Sequence, residues 1–139
     1  MLSALLGMLF GAGGYTVRSS EATSYLSDDP RSCANCHVMR DVYDGWQKGS
    51  HHAHATCNGC HIPQSGLFEK YAAKLDNGYR HSKGFTLQDF PEPIRITPGN
   101  RDNLNGNCRR CHEALVSELA PEDLNCVRCH DRVGHGPTR

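Results

Sequence analysis

The chain has few of the residues that build an ordinary hydrophobic core, and its charges favour neither sign. Hydrophobic residues occupy 37% of its 139 positions, a smaller share than in most globular domains. Fourteen glycines and seven prolines interrupt the sequence, and no stretch alternates regularly enough to predict a β-strand. Fifteen basic residues balance fifteen acidic ones, which argues against nucleic acid as a partner. The composition predicts one mainly α, irregular domain whose interior is filled by something other than side chains.

Cysteine and histidine, by contrast, are abundant, and they occur together. The eight cysteines form four C-x-x-C pairs, and a histidine follows each pair directly. Two thiols at this spacing can add to the two vinyl groups of one haem, while the adjacent imidazole reaches the iron. The motifs therefore predict four covalently attached haem c groups, at Cys33/Cys36/His37, Cys57/Cys60/His61, Cys108/Cys111/His112 and Cys126/Cys129/His130.

Cysteine pairs also occur in disulfide frameworks and in zinc sites. A disulfide framework gives no reason for a histidine after every pair. Two C-x-x-C pairs can hold one tetrahedral zinc ion, but zinc leaves the four following histidines unexplained, and the pairs are irregularly spaced. Haem is the favoured interpretation, because four large apolar rings would also supply the missing interior.

The longest uncharged apolar stretch runs from Leu2 to Val17. Its sixteen residues are fewer than the ~20 that a helix needs to cross the hydrocarbon layer, and it has neither a basic n-region nor a clear cleavage site. A signal peptide, a buried helix and a membrane anchor with further residues upstream are the alternatives. We favour the anchor, because the chain turns polar at Arg18 and Tyr15 stands where an interfacial aromatic residue is expected. We therefore expect a membrane anchor helix over residues 1–17, truncated at its N-terminus, and a tetrahaem cytochrome c domain over 18–139, outside the cytoplasm.

Helical periodicity is strongest over Gly66–Arg80, where apolar residues recur every three or four positions. Shorter helices are predicted over residues 38–50 and Glu113–Leu119. The proline-containing stretch 84–106 is predicted to be a long loop over haem edges. The expected architecture is short helices and long loops organised around four covalently bound haems, with an N-terminal transmembrane helix.

The sixth iron ligands must come from outside the motif histidines, since each of those supplies one ligand. The candidates are Met39, His51, His52, His54, His81 and His135. His135 follows His130 by only five residues, a link too short to reach the opposite face of the same haem. We therefore expect His135 to bind the iron of a neighbouring haem, while the spacing leaves the other assignments open.

The first motif reads Cys33-Ala34-Asn35-Cys36-His37-Val38-Met39, and with this C-x-x-C-H-x-M pattern the chain resembles the NapC/NirT family of membrane-anchored quinol dehydrogenases. Within that family it is most similar to the small subunits of cytochrome c nitrite reductases. The matching stretches are YLSDDP (25–30), WQKGSHH (46–52), KYAAKLDNGYRHS (70–82), GFTL (84–87) and VGHG (133–136). The resemblance implies a single-pass inner-membrane protein with its haem domain in the periplasm, in contact with membrane lipid. It also implies that the chain oxidises menaquinol and passes electrons to a periplasmic multihaem nitrite reductase subunit.

The resemblance further implies which side chains bind the irons. Met39, rather than His37, would bind the first iron. His51 occupies the family's position for the distal ligand of the fourth haem, with His52 beside it as an alternative, and His135 occupies that of the third. The second haem would take a lysine from the partner subunit. The proximal ligands of the second, third and fourth haems would be His61, His112 and His130.

A quinol site is implied near the first haem. Quinol oxidation releases two electrons and two protons, whereas each haem accepts one electron, so proton acceptors are needed nearby. Lys74 matches a family lysine implicated in quinol binding, and the family's acidic residue corresponds to Asp76 or is replaced by His81. For Lys74 and Asp76 a solvated helix face is the alternative. The sixth ligand of the first haem stays open between none, water, His81 and a carboxylate.

Two other functions are compatible with these motifs. The chain could donate electrons to a different periplasmic reductase, or it could be a soluble periplasmic electron shuttle without quinol chemistry. Nitrite reduction by this chain itself is disfavoured, because the sequence has no C-x-x-C-K motif for a lysine-ligated haem.

Overall fold

The computed structural model describes residues 1–118 and 124–136. This part of the chain is mainly helical and contains no β-strand, as the composition predicted. Short 3-10 turns lie at Ala22–Leu26, His37–Met39 and Cys126–Arg128. The six α-helices are α1 (Leu2–Ser19), α2 (Arg31–Ala34), α3 (Arg40–Gln47), α4 (Cys57–His61), α5 (Leu67–Leu87) and α6 (Pro98–Val116).

The protein core is small. Among the described residues only two hydrophobic side chains, Trp46 and Ile62, are buried. Trp46 lies on α3, and its indole nitrogen donates a hydrogen bond of 2.9 Å to the carbonyl of Ala55. Large apolar side chains elsewhere lie open, Phe68 being 84% exposed. Side chains alone therefore do not form the interior that a domain of this length normally buries.

Helices α5 and α6 correct the prediction of a long loop over residues 84–106. Helix α5 begins at Leu67, close to the predicted start, but it continues past Arg80 to Leu87. Helix α6 already begins at Pro98, where the hydroxyl of Thr97 accepts a hydrogen bond from the backbone of Asn100. Proline is favoured in the first turn of a helix, since no backbone donor is needed there. The proline interpreted as a loop residue is thus a helix start, and the two helices are connected by residues 88–97.

Two other predicted helices have different limits in the structure. The helix predicted over residues 38–50 is divided into the turn His37–Met39 and helix α3. The helix predicted over Glu113–Leu119 is the end of α6, which the structure follows to Val116, and residue 119 lies outside the described residues.

Helix α1 coincides with the predicted anchor segment and extends it by two residues to Ser19. All of its residues are exposed. Over residues 1–118 and 124–136, no helix is both long enough and apolar enough to span a membrane.

Candidate functional site

The four C-x-x-C-H motifs lie next to one another in the order of the sequence. All eight cysteines are free thiols, so the structure forms no disulfide from them. In each step along the series, a thiol of one motif interacts with a thiol of the next. The interacting pairs are Cys33–Cys57, Cys60–Cys111 and Cys108–Cys126.

Local helical structure aligns the two cysteines of a motif. The second motif is helix α4, whose N-cap hydroxyl at Thr56 accepts a hydrogen bond of 3.1 Å from the backbone of Gly59. The third motif lies within α6 and the fourth begins in the turn Cys126–Arg128. Residues three apart in a helical turn lie on the same side, which directs both thiols of a pair to one surface.

Several of the thiols face poorly hydrated surroundings. Burial, followed by the nearby Cys126, raises the pKa of Cys108 to about 11. Burial also raises the pKa of Cys60. A hydrogen bond with Cys33 and burial together raise the pKa of Cys57. Such surroundings suit covalent attachment to a large apolar ring better than contact with bulk water.

The second cysteines of three motifs depart from this pattern, because Cys36, Cys111 and Cys129 are exposed. The fourth motif shows how this arises. The backbone N–H of Cys129 donates to the carbonyl of Cys126 at 3.3 Å, so the two cysteines share one turn although only Cys126 lies against the third motif. The C-x-x-C spacing fixes how far apart two thiols are, but it does not determine what packs over them. Attachment of one haem at each of the four motifs stays a prediction.

Two pairs of histidine rings lie within contact distance of each other. The rings of His61 and His135 are nearly parallel, at 8°, with centroids 5.8 Å apart. Those of His51 and His112 are inclined at 68°, with centroids 6.1 Å apart. Both distances fall in the range of roughly 4.5–7 Å that is usual for contacting aromatic rings. Burial, followed by the neighbouring His135, lowers the pKa of His61 to about 4, which keeps this imidazole neutral as a metal ligand must be. These residues fit haem iron.

The observed histidine pairs differ from those implied by the resemblance. His135 was expected to serve the third haem, but it lies beside His61 of the second motif. His51 was expected to serve the fourth, but it lies beside His112 of the third. His52 instead packs edge-on against Trp46, with ring centroids 4.6 Å apart. The assignment of His135 to the third haem and of His51 or His52 to the fourth therefore stays a prediction.

Two glycines of the α3 region explain why His135 reaches the second motif. A Cβ atom on Gly45 would lie 1.9 Å from the carbonyl oxygen of His135, and one on Gly49 would lie 3.2 Å from that of Gly134. Only a bare backbone lets the C-terminal segment approach this closely. The i, i+4 spacing of the two glycines was the signal available in the sequence.

Met39 closes the turn that follows the first motif. Its backbone N–H donates to the carbonyl of Cys36 at 2.9 Å. The Met39 side chain is half-buried, whereas His37 is exposed. His130 of the fourth motif is also exposed.

Lys74 is buried, with 2% of its surface exposed, so it does not lie on a solvated helix face. Its ammonium donates to the carbonyls of Leu26 and Ser27, at 3.0 and 2.7 Å, and to a carboxylate oxygen of Asp28 at 2.9 Å. An ammonium group has three donors, and all three are used here.

Asp28 is a site residue that the sequence analysis missed, although it lies in the quoted stretch YLSDDP. Its carboxylate accepts hydrogen bonds from Lys70, Lys74 and Asn58. The bond from Lys70, followed by that from Lys74, lowers the pKa of Asp28 to about 2. Asp28 therefore stays ionised and holds two lysines of α5 against the segment before the first motif.

The other two predicted quinol residues lie on different faces of α5. His81 contacts the ring of Tyr25 edge-on at 6.3 Å, and desolvation lowers its pKa. Asp76 is more than half exposed and pairs with Arg80 at 2.8 Å. Lys74 and His81 thus both face the segment from Tyr25 to Asp28, whereas Asp76 points to solvent.

A cavity of about 410 Å³ opens where this segment meets α5. Its lining includes Tyr25, Lys74, Leu75, Gly78 and Tyr79. Burial, followed by the nearby thiols of the first motif, raises the pKa of Tyr25 to about 12. The cavity is therefore mainly apolar, with two tyrosines in its lining, and adjacent to the first C-x-x-C-H motif.

Thiol pairs that are each followed by an imidazole and that lie in series, with further histidines beside them, define a multihaem c-type cytochrome. The model of the NapC/NirT cytochrome c family, N-terminal region, matches residues 1–139. The chain belongs to this family, and it is accordingly an electron-transport protein with covalently bound haem c.

Individual relatives are similar over most of the chain. Identity is 38% to the cytochrome c-type protein NrfH of Wolinella succinogenes, covering 90% of this chain and 78% of the relative. It is 32% to the cytochrome c nitrite reductase subunit NrfH of Nitratidesulfovibrio vulgaris, covering 78% and 69%. The structure also matches a chain in the crystal structure of the cytochrome c nitrite reductase NrfHA complex bound to the HQNO inhibitor. That match has a TM-score of 0.72 and 26% identity, and it covers 98% of this chain and 92% of the other.

Proposed function

We propose that this chain is a membrane-anchored tetrahaem cytochrome that oxidises menaquinol and passes the electrons to the catalytic subunit of a periplasmic nitrite reductase. One observation carries the proposal: the series of C-x-x-C-H motifs begins beside the apolar cavity at Lys74. A quinol bound there would lie at one end of a continuous line of cofactor sites. The names of the NrfH relatives support the choice of nitrite reductase as the acceptor.

Each motif would hold one haem c through its two cysteines, and the bound haems would supply one-electron carriers. Met39 would bind the first iron, and a thioether there raises the reduction potential relative to imidazole. His61, His112 and His130 would be the proximal ligands of the second, third and fourth irons. His135 would be the distal ligand of the third iron, and His51 that of the fourth. The second iron would take a lysine from the partner subunit.

The cavity has properties that suit a quinol. Its volume of about 410 Å³ lies within the usual range for small-molecule sites. Tyr25, Leu75 and Tyr79 would pack against the quinol ring. His81, whose pKa is lowered by desolvation, would be neutral and able to accept a proton. Asp76 is on the opposite side of α5, so His81 is the better-placed acceptor.

Lys74 would act on the quinol site in two ways: through its positive charge, and by holding the segment Leu26–Asp28 at the side of the cavity. Its three donors are used by the segment Leu26–Asp28, so a quinol hydroxyl would have to displace one of these bonds to accept from it. The buried ammonium would stabilise negative charge as the quinol loses its protons.

Helix α1, which is not long and apolar enough to cross a membrane by itself, would attach the chain to the inner membrane, with residues 18–139 in the periplasm. The helix has no charged residue before Arg18, and it presents all its side chains outward. The cavity lies next to the end of this helix, since Ala22 and Thr23 contribute to its lining. A lipid-soluble quinol would therefore reach the cavity from the membrane surface.

A second candidate acceptor is another periplasmic reductase. The chain is 25% identical to the cytochrome c-type protein NapC of Escherichia coli strain K12, covering 97% of this chain and 80% of the relative. The haem series and quinol cavity would serve such an acceptor equally well. The choice therefore depends on the surface around the fourth motif.

Fractionation and reconstitution test the proposal. We expect the haem-loaded protein in the membrane fraction, reduction of its haems by a menaquinol analogue, and nitrite-dependent reoxidation when a periplasmic nitrite reductase catalytic subunit is added. Reoxidation only by a different reductase would establish the second candidate. A protein in the soluble fraction whose haems no quinol analogue reduces would instead be an electron shuttle, and the proposal would be wrong.

A further inference from the structure

Asn107 connects the second and third haem-binding motifs. It directly precedes Cys108, and its side-chain amide donates to the carbonyl of Cys60 at 2.9 Å and to that of Ile62 at 2.8 Å. Both partners are acceptors, so only the NH₂ group of the amide can face them. The residue is buried, where an unpaired amide would be costly and a paired one is strongly directional.

Asn58 connects the second motif to the segment that precedes the first motif. It lies between the cysteines of the second motif and donates to the carbonyl of Ser27 at 3.1 Å and to the carboxylate of Asp28 at 2.9 Å. These two residues belong to the segment that leads into the first motif and that also binds Lys74.

Asn105 connects the third and fourth motifs, but here the asparagine side chain accepts the hydrogen bond instead of donating it. Its side-chain oxygen accepts a hydrogen bond of 3.2 Å from the backbone N–H of Cys126, the first residue of the fourth motif. One asparagine therefore bridges each of the three junctions in the series of motifs.

We propose that Asn58, Asn107 and Asn105 are positioning residues that fix the distance and orientation between successive haems. Electron transfer between cofactors falls steeply as their edges move apart, so the junctions need directional contacts that apolar packing does not supply. The inference rests on the proposed function only in treating the four motifs as haem sites.

The test uses whether each asparagine side chain donates or accepts its hydrogen bond. Replacing asparagine by aspartate keeps the shape and the acceptor but removes the donor. Asn107→Asp places a carboxylate against two carbonyls, and Asn58→Asp places one against Asp28, so both contacts are lost. Asn105→Asp keeps its acceptor and hence its contact, whereas Asn105→Ala loses it. Asn103→Asp makes the same change of charge on α6 at a position that takes no part in the three contacts.

We would purify each holoprotein and measure haem content, individual reduction potentials and magnetic coupling between haems by electron paramagnetic resonance. We expect changed coupling and shifted potentials in Asn58→Asp, Asn107→Asp and Asn105→Ala, with four haems retained. Asn105→Asp and Asn103→Asp should match the parent protein. Asn100→Ala removes a half-buried hydrogen bond to Asn77 that joins α5 to α6 but no two motifs. It should lower the midpoint of thermal unfolding and leave haem coupling unchanged.

Parent-like coupling in Asn107→Asp with full haem content would overturn the inference, as would equal shifts in Asn103→Asp. If Asn107→Asp does not yield a haem-loaded protein, Asn105→Ala is compared with Asn105→Asp. Identical haem coupling in those two variants would exclude a positioning role. None of these measurements uses quinol. A parent protein that no quinol reduces would therefore end the proposed function without affecting the inference.

Discussion

The ammonium of Lys74 lies 2.9 Å from a carboxylate oxygen of Asp28, 46 positions earlier in the chain. Because the ammonium is buried, losing its counter-charge is costly. We expect Asp28→Asn to lower the free energy of unfolding of the holoprotein by about 2 kcal/mol, the value of a hydrogen bond to a charged group. Denaturant unfolding would measure the change. Asp29→Asn removes the exposed pair with Arg31 and should cost far less; equal losses in the two variants would contradict the prediction.

The same carboxylate predicts how stability depends on acid. The pKa of Asp28 is lowered in the folded protein from its ordinary 3.8 to about 2. As the pH falls below about 4, the unfolded chain takes up this proton before the folded one, so stability is lost between pH ~4 and ~2 and is fully present above that window. Unfolding measured across this range should show a decline that is weaker in Asp28→Asn. An identical decline in the variant would show that other groups cause it.

Lys74→Leu removes the buried charge at the cavity wall. We expect turnover with a menaquinol analogue to fall by about tenfold or more, because both the charge and the position of the segment Leu26–Asp28 change. Haem content should stay at four per chain. Lys83→Leu, an exposed position on the same helix, is the matched control and should retain turnover. Full activity in Lys74→Leu would exclude this lysine from the quinol site.

Met39→Leu tests the ligand of the first iron. Leucine has a similar volume but no sulfur, so we expect one haem to change its absorption spectrum and quinol oxidation to fall by at least tenfold. Haem content should stay unchanged, because the cysteines are intact. Met8→Leu in α1, where the methionine is exposed, should leave the spectrum unaltered. An unchanged spectrum in Met39→Leu would mean that another group binds this iron.

Gly45→Ala tests the position of His135. The added methyl group would overlap the His135 carbonyl, so the C-terminal segment must move away from α3. We expect one low-spin haem with two histidine ligands to become high-spin or to bind a different ligand, visible by electron paramagnetic resonance. Gly99→Ala, where nothing lies within 4 Å of the new atom, should keep the parent spectrum. Retention of the parent spectrum by Gly45→Ala would contradict iron binding by His135.

The motifs could be predicted because their chemistry depends on residues three or four positions apart. The distal histidines could not, because their pairing depends on how distant segments fold together. His135 reaches the second motif because Gly45 and Gly49 have no side chain that would block the C-terminal segment. In the same way, the partner of Lys74 lies 46 positions away, and no local pattern points to it. The exposure of Cys129 is likewise a property of its surroundings rather than of its motif.

Helical geometry could have settled two points from the sequence alone. Asp76 is two positions from Lys74, which places it about 200° around the helix and on the opposite face. His81 is seven positions from Lys74 and therefore shares its face. The limits of α5 and α6 were harder to predict, because a proline can end one helix or begin another. Thr97, a favourable N-cap directly before Pro98, indicated the second alternative.

The scarcity of buried side chains constrains how the protein is made. Because Trp46 and Ile62 are the buried hydrophobic residues of the described chain, we expect the polypeptide without haem to lack the contacts that hold its final shape. Haem attachment would then precede the last stage of folding, and a chain made without haem would stay open to proteolysis. The amount of folded protein would accordingly depend on the supply of haem as well as on the synthesis of the polypeptide.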